Sequence, residues 1–197
     1  MEISLIDNSD QTIILLKIAD GHNNFEISMN KNILYSSCLF FKKLLENDFL
    51  EKNLNKIKIN VPDSIISSDI ILSFTGREIN RAKFKNWYYL LNYIICCDYF
   101  AIKYDPSILS NIEIPEAGFE LLLQVGEILN YNDEIVACIL NNFPIDYDVN
   151  KLSTELKNKI CGKNKYYLIF GMDYSYVYDY IKYDNDINIT KIGSHKK

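Results

Sequence analysis

The 197-residue sequence predicts a mixed α/β fold of the α+β kind, with short strands interleaved among helices. Three observations carry this. The runs DQTIILLKI (Asp10 to Ile18) and KIKINVPD (Lys56 to Asp63) are rich in β-branched residues, and the second alternates Ile57, Ile59 and Val61 with polar neighbours. Most of the remaining chain up to Ile160 places apolar residues at helical spacing. Past Gly162 the character changes to YYLIFG and YSYVYDYIKY, aromatic strand-like runs around a turn at Met172 to Tyr174, which read as a C-terminal β-hairpin.

The elements follow in order. After the first strand, ADGHNN supplies a turn with Gly21 available for positive φ, and FEI (Phe25 to Ile27) returns as a second short strand. Ser28 reads as the N-cap of one long helix in which Ile33, Leu34, Cys38, Phe41 and Leu45 share a face, with Phe40 and Leu44 beside them. That face is wide enough to be buried against more than one neighbour. Pro62 ends the third strand, and Asp63 or Ser64 caps a short helix whose Ile66, Ile70 and Phe74 share a face and which Thr75 and Gly76 close.

A polar, basic loop then leads to the most apolar helix, Trp87 to Ala101. Trp87, Leu91, Ile94 and Ala101 line one side, and Tyr88, Tyr89, Tyr93, Cys96 and Phe100 cover much of the rest, which predicts a central helix packed all round. Pro115 suits a first helical turn, with Glu116 at its positive end, leading into Phe119, Leu122, Leu123 and Leu129. Asn132 caps the next helix, whose stripe is Ile135, Val136, Ile139, Leu140 and Phe143 and which stops at Pro144; a shorter helix spans Thr154 to Ile160. No period of about 20 to 50 residues repeats, so the chain is no solenoid by itself.

Hydrophobic residues make up 48% of the sequence, enough to fill a core. Lys outnumbers Arg 19 to 2, and Ile and Asn recur throughout, as an AT-rich coding sequence produces, so the many lysines, asparagines and tyrosines carry little functional weight. A net charge of -5 and a pI of 5.1 argue against a nucleic-acid partner. Acidic and basic residues number 12 each from Met1 to Lys103, whereas Tyr104 to Asn150 holds nine acidic residues and no Lys or Arg. Lys151 to Lys197 then carries nine lysines against five acids. Solvated helix faces account for this, the alternative being an acidic docking surface for a basic partner.

MEISLIDNSD lacks the features of a signal peptide, and no stretch reaches the roughly 20 apolar residues of a membrane helix, so an intracellular chain with no membrane partner is expected. In a reducing compartment Cys38, Cys96, Cys97, Cys138 and Cys161 should be free thiols behaving as small hydrophobes.

Chemistry is sparse. His22 and His195 make no constellation with local partners, and Cys-x-x-Cys, a Gly-rich phosphate loop, Gly-x-Ser-x-Gly and His-Glu-x-x-His are all missing. In IICCDYFAI (Ile94 to Ile102) successive side chains on a helix diverge by about 100°, so Cys96 and Cys97 are packing residues and not a redox or zinc pair. Asp98 reads as a helix-end or loop-fixing group. The expectation is no enzyme: no catalytic residue, no metal site and no cofactor.

Six short motifs, in order, resemble a known family. DQTI at Asp10 is similar to an opening Asp-x-Thr-apolar strand. FEI with KNILYSSCLFFKKLL (Lys31 to Leu45) matches a second strand and its helix, and KIKINVPD a third strand. ILSFTG matches a Phe-Ile-Tyr-Thr-Gly ending, and IICCDYFAI a Leu-x-Ala-Ala-Asp-Tyr-Leu helix end in which Cys96 and Cys97 replace two small alanines. From Asp10 to about Asp105 the chain resembles a BTB/POZ domain, a small sheet flanked by helical hairpins.

The resemblance implies a BTB/POZ-like domain at 1-105, a helical extension at 106-162, and a β-hairpin-like segment with a tail at 163-197. It implies a homodimer whose interface takes in Ile33, Leu34 and Phe41, with a charged pocket of Asp10 and Lys31. A narrower implication is a substrate adaptor for a cullin-based ubiquitin ligase, a host protein, with a contact signature falling at Ile66, Ser67 and Ser68 and with Asp69 one place later. In the family's giant-virus branch such modules precede WD-type propellers, and YLIFGMDYSYVYDY is similar to one strand-turn-strand of a blade. A structural or assembly protein of a large DNA virus is the alternative, and a viral chain would work in the host cytoplasm.

Overall fold

The computed structural model describes residues 12–46, 55–109, 112–163, 167–170, 174–183 and 186–196, with those beyond residue 160 as backbone only. Its contacts divide the chain into two units, Met1–Tyr104 and Asp105–Lys197.

In the first unit, β1 (Ile13–Ala19) pairs antiparallel with β2 (Asn24–Asn30) and parallel with β3 (Lys56–Asn60), giving the order β2-β1-β3. The register sets Leu16 against Ile27 on one side and Ile57 on the other, and Ile18 against Phe25 and Ile59. Because side chains alternate across a strand, Ile14, Leu16, Ile18, Ile57 and Ile59 all enter the core while Lys17 and Lys58 take the other face. The β1–β2 turn forms where expected, but Gly21 does not adopt positive φ. The turn is instead fixed by Asp20, whose carboxylate accepts from His22 N at 2.7 Å and Asn23 N at 2.6 Å.

The expected single helix is two. β2 runs on through Asn30, which, in place of Ser28, caps α1 (Lys31–Ser37) by accepting from Asn32 N at 2.8 Å and Ile33 N at 3.3 Å. Cys38 is extended (φ -157, ψ 162) and separates α1 from α2 (Leu39–Glu46). The Ser36 and Ser37 hydroxyls donate back to the Asn32 and Ile33 carbonyls, competing with the helix ladder at the break. Leu34, Cys38, Phe41 and Leu45 nevertheless share the buried face.

α3 (Ser64–Ser73) is capped by Asp63, which accepts from Ile66 N at 2.9 Å, and Gly76 at φ 85 closes the segment after it. A 3-10 turn, Arg81–Lys85, leads into α4 (Trp87–Tyr99), capped by Asn86 through Tyr89 N at 3.0 Å. α4 buries Leu90, Leu91, Ile94, Cys96 and Cys97, but Tyr88 and Asp98 reach solvent, so it is not packed all round. Ala101, expected on its buried side, is exposed at φ 54 in the turn that ends it. Phe41 and Phe100 stack at 5.7 Å between centroids, with Phe40 edge-on to both, at the centre of this unit's core.

The second unit is helical and then β. Pro115 is extended and precedes a 3-10 turn (Glu116–Gly118), so α5 (Phe119–Ile128) starts four residues later than a Pro115 first turn would place it. α6 (Asp133–Asn141) is capped by Asn132 as expected, through Ile135 N at 3.0 Å. α7 (Thr154–Lys163) runs past Ile160. Beyond it β4 (Tyr167–Phe170), β5 (Tyr174–Tyr183) and β6 (Asp186–Lys196) form an antiparallel sheet in that order. The expected hairpin thus gains a third strand where a tail was read. Its alternating Ile187 and Ile189 carried that signal. The turn expected around Met172 lies outside the described residues.

The α5–α6 packing makes a test. A Cβ on Gly126 would meet Tyr131 Cε1 at 2.7 Å and Ile139 Cδ1 at 3.1 Å. Gly126→Ala is therefore expected to destabilise by about 1–3 kcal/mol, although Ala is the better helix former. Gly21→Ala, with nothing within 4 Å of the added atom, should change stability by less than about 0.5 kcal/mol. Urea unfolding of both variants against the native chain checks the pair.

Candidate protein-interaction site

The residues expected at a dimer interface separate by burial. Asp10 lies outside the described residues. Leu34 and Phe41 are fully enclosed in the core, where their apolar surface is already covered by their own unit. Ile33 is half-buried, and Lys31 N donates to Thr12 O at 2.9 Å, binding the start of α1 to the chain entering β1. The large apolar side chains that do reach solvent here are Ile13, Tyr35 and Leu39. Ile13 pairs with the capping Asn30, Tyr35 stands one turn into α1, and Leu39 opens α2. The Tyr35 hydroxyl donates to Glu46, which fixes the ring. Helical periodicity finds the buried stripe, and these positions lie off it.

The residues expected at a second partner site also rearrange. Ile66 and Ser67 are buried, and the half-buried Ser68 spends its hydroxyl on Ser64 O at 2.6 Å. Asp69 is engaged within its own unit, by Lys83 Nζ at 2.5 Å and by the Tyr89 hydroxyl, which donates to it at 2.8 Å. Burial, and then Asp69, hold that hydroxyl well above the usual tyrosine range. The apolar residue that faces outward is Ile65, 51% exposed, with Tyr88 at 52%. The two border an open groove of about 450 Å3, where Asp63, Ile66, Lys83, Asn86 and Tyr89 complete the lining.

The paired cysteines behave as spacers. Ser67 Oγ lies 3.4 Å from Cys96 Sγ, a contact that close helices and small side chains permit. Burial raises both thiols, Cys97 to about 12, and pushes Cys138 to about 11. Thiols so placed stay protonated and unreactive near neutral pH. Among the described residues no group of three His, Cys, Asp or Glu side chains could hold a metal ion, and no helix is long and apolar enough to cross a membrane.

Comparison with known proteins gives relatives with one common description. A BTB/POZ domain-containing protein of Acanthamoeba polyphaga mimivirus is 38% identical over 145 residues, 73% of this chain and 26% of that protein. A BTB/POZ domain and WD-repeat protein of the same virus is 40% identical over 140 residues, 71% of this chain and 30% of its own length. A further BTB/POZ domain-containing protein from this virus is 35% identical over 152 residues, 77% of this chain and 57% of the relative. The chain belongs to the BTB/POZ domain proteins. No family model matches it. It spans between about a quarter and a little over half of the length of these curated relatives.

Within this BTB/POZ chain one carboxylate joins the sheet to the helices around the groove. Asp20 accepts from Ser64 N at 2.8 Å as well as from the two amides of its own turn, so the β1–β2 turn and the start of α3 share one anchor. Ser64, followed by the Asn23 and His22 amides, holds the Asp20 carboxyl far below the ordinary carboxylate range. A group depressed in the folded state contributes stability that is full above its unfolded pKa, near 4, and is lost as pH falls toward the folded value. Asp20→Ala should therefore lower the thermal midpoint at neutral pH and flatten the fall of that midpoint between about pH 4 and pH 2. Parallel native and variant profiles in a calorimetric pH series would show that Asp20 supplies no such term.

Proposed function

We propose that this chain is a non-catalytic protein–protein interaction module that self-associates through the face carrying Ile13, Ile33, Tyr35 and Leu39. The observation that supports the reading is the exposure of three large apolar side chains around the joined starts of β1, α1 and α2. A two-fold axis through that face covers the same patch on both copies at once, which is the common solution for a homodimer. Its core would be apolar and its rim polar, with Lys42 and Lys43 of α2 remaining in water.

Solution mass by light scattering over a range of concentrations tests this. The native chain should be a dimer at micromolar protein, and Leu39→Glu, a surface substitution, should weaken it about tenfold or more without unfolding the chain. A native monomer throughout would remove the reading. Asp10→Asn in the same series tests the charged pocket that the family resemblance implies.

The narrower role of substrate adaptor for a cullin-based ubiquitin ligase in the host has less support. It would draw on α3, where Ile66 is buried and Asp69 is held by Lys83 and Tyr89. A pull-down with a cullin amino-terminal domain decides it: retention at micromolar protein supports the adaptor, and no retention leaves self-association alone. The role of a structural or assembly protein of a large DNA virus uses the same dimer as a building block and requires a second contact between copies.

A further inference from the structure

Two surface features, one in each unit, are left unused by association through β1, α1 and α2. The first is the groove between Ile65 and Tyr88, which lies beside the basic Arg81–Lys85 turn. The Arg81–Lys85 turn supplies Lys83 to its wall, and the exposed Arg81 and Lys85 of the same turn have no acidic partner among the described residues. Of the acids here, Asp69 is paired with Lys83, and Asp63 in the groove lining accepts from Ile66 N as the cap of α3.

The second feature is the loop after α6. Ile145 is 51% exposed at its tip. Asp146 and Asp148 follow it in the chain, both exposed, and Asp148 also accepts from Asn150 N at 3.0 Å. The loop is stiffened from behind: Tyr147 N donates to Pro144 O at 3.3 Å, the Tyr147 hydroxyl donates to Glu120 at 3.0 Å, and the ring packs edge-on against Phe119 at 4.8 Å and Phe143 at 5.7 Å. No Lys or Arg occurs anywhere from Tyr104 to Asn150 to oppose these carboxylates. A rigid apolar tip with two carboxylates close behind it in the chain is the chemical complement of an apolar groove beside a turn carrying Arg81 and Lys85.

We propose that the Pro144–Asp148 loop of one copy docks on a second copy, seating Ile145 between Ile65 and Tyr88 with Asp146 and Asp148 facing Arg81 and Lys85. The two surfaces differ, so the contact is heterologous and does not close on itself as a two-fold dimer does; it links dimers into larger assemblies. It rests on the self-association reading for the dimer it links.

Sedimentation and light scattering of the full chain across concentration and salt separate the two. The native chain should pass beyond the dimer as concentration rises, and should do so less at high salt. Ile145→Asp, a change at an exposed tip, should raise the concentration needed to exceed the dimer about tenfold or more while the dimer persists. Lys85→Glu should act likewise, and adding Asp146→Lys to it should restore the larger masses, because the swapped charges attract again. Masses that stop at the dimer, or larger masses indifferent to Ile145→Asp, overturn the groove contact and leave the dimer reading standing. A monomer at every concentration overturns both.

Discussion

The close approach of α3 to α4 is the constraint on which the first unit depends. Ser64 and Ser67 on one helix and Cys96 and Cys97 on the other are all enclosed, and none is larger than a thiol-bearing side chain. With backbones this near, Cys96 Sγ comes within 3.8 Å of Asp63 O, so α4 packs directly beneath the residue that caps α3. The position of α4 then carries Phe100 onto Phe41 and Phe40, and those rings hold α2. A larger side chain at either cysteine would separate the helices and shift every later contact, since cores transmit strain instead of absorbing it. The Asp63 and Asn86 caps both line the groove beside this helix pair.

Polar side chains complete what the apolar core begins. Asn30, Asp63, Asn86 and Asn132 cap α1, α3, α4 and α6, each satisfying backbone donors that a helix start leaves open. Caps of this kind contribute about 1 kcal/mol apiece, so four form a considerable fraction of the net stability of a small domain. Asp20 works in the same way between elements, since a single carboxylate serving three amides fixes the sheet turn and the start of α3 together. Asparagine abundance that looks like coding bias therefore contains structural positions. What marks them is place, immediately before an apolar-periodic run.

The parts of the fold legible in the sequence are those where one local rule acts alone. Ile57, Ile59 and Val61 alternate, and β3 forms; Asn132 precedes a clean stripe, and α6 starts where it should. The misreadings lie where two rules compete. The apolar stripe from Leu34 to Leu45 is continuous, so periodicity reads one helix, but Ser36 and Ser37 turn their hydroxyls back onto the ladder and the chain breaks at Cys38. Pro115 fits a first helical turn by its φ, yet its extended ψ delays α5 to Phe119. For the candidate interaction residues, exposure was not legible: Leu34, Phe41 and Ile66 are enclosed in the core, and which neighbour faces outward depends on how the helices are packed. That put Leu39 and Ile65 at the surface in their stead.

The two exposed regions differ in the kind of contact each can make. Ile13, Tyr35 and Leu39 offer apolar area with little charge among them, which suits a surface meeting its own copy, because a two-fold axis would place like charges opposite one another. The turn beside the groove and the loop after α6 carry opposite signs, so each suits the other better than its own copy. Charge alone would not make such a contact specific. Screening limits its reach to about 8 Å at physiological ionic strength, and exposed ion pairs contribute little individually. In the proposed assembly the carboxylates of the second unit would speed and orient the encounter, while discrimination would fall to Ile145, a large apolar side chain standing half-exposed beside those acids.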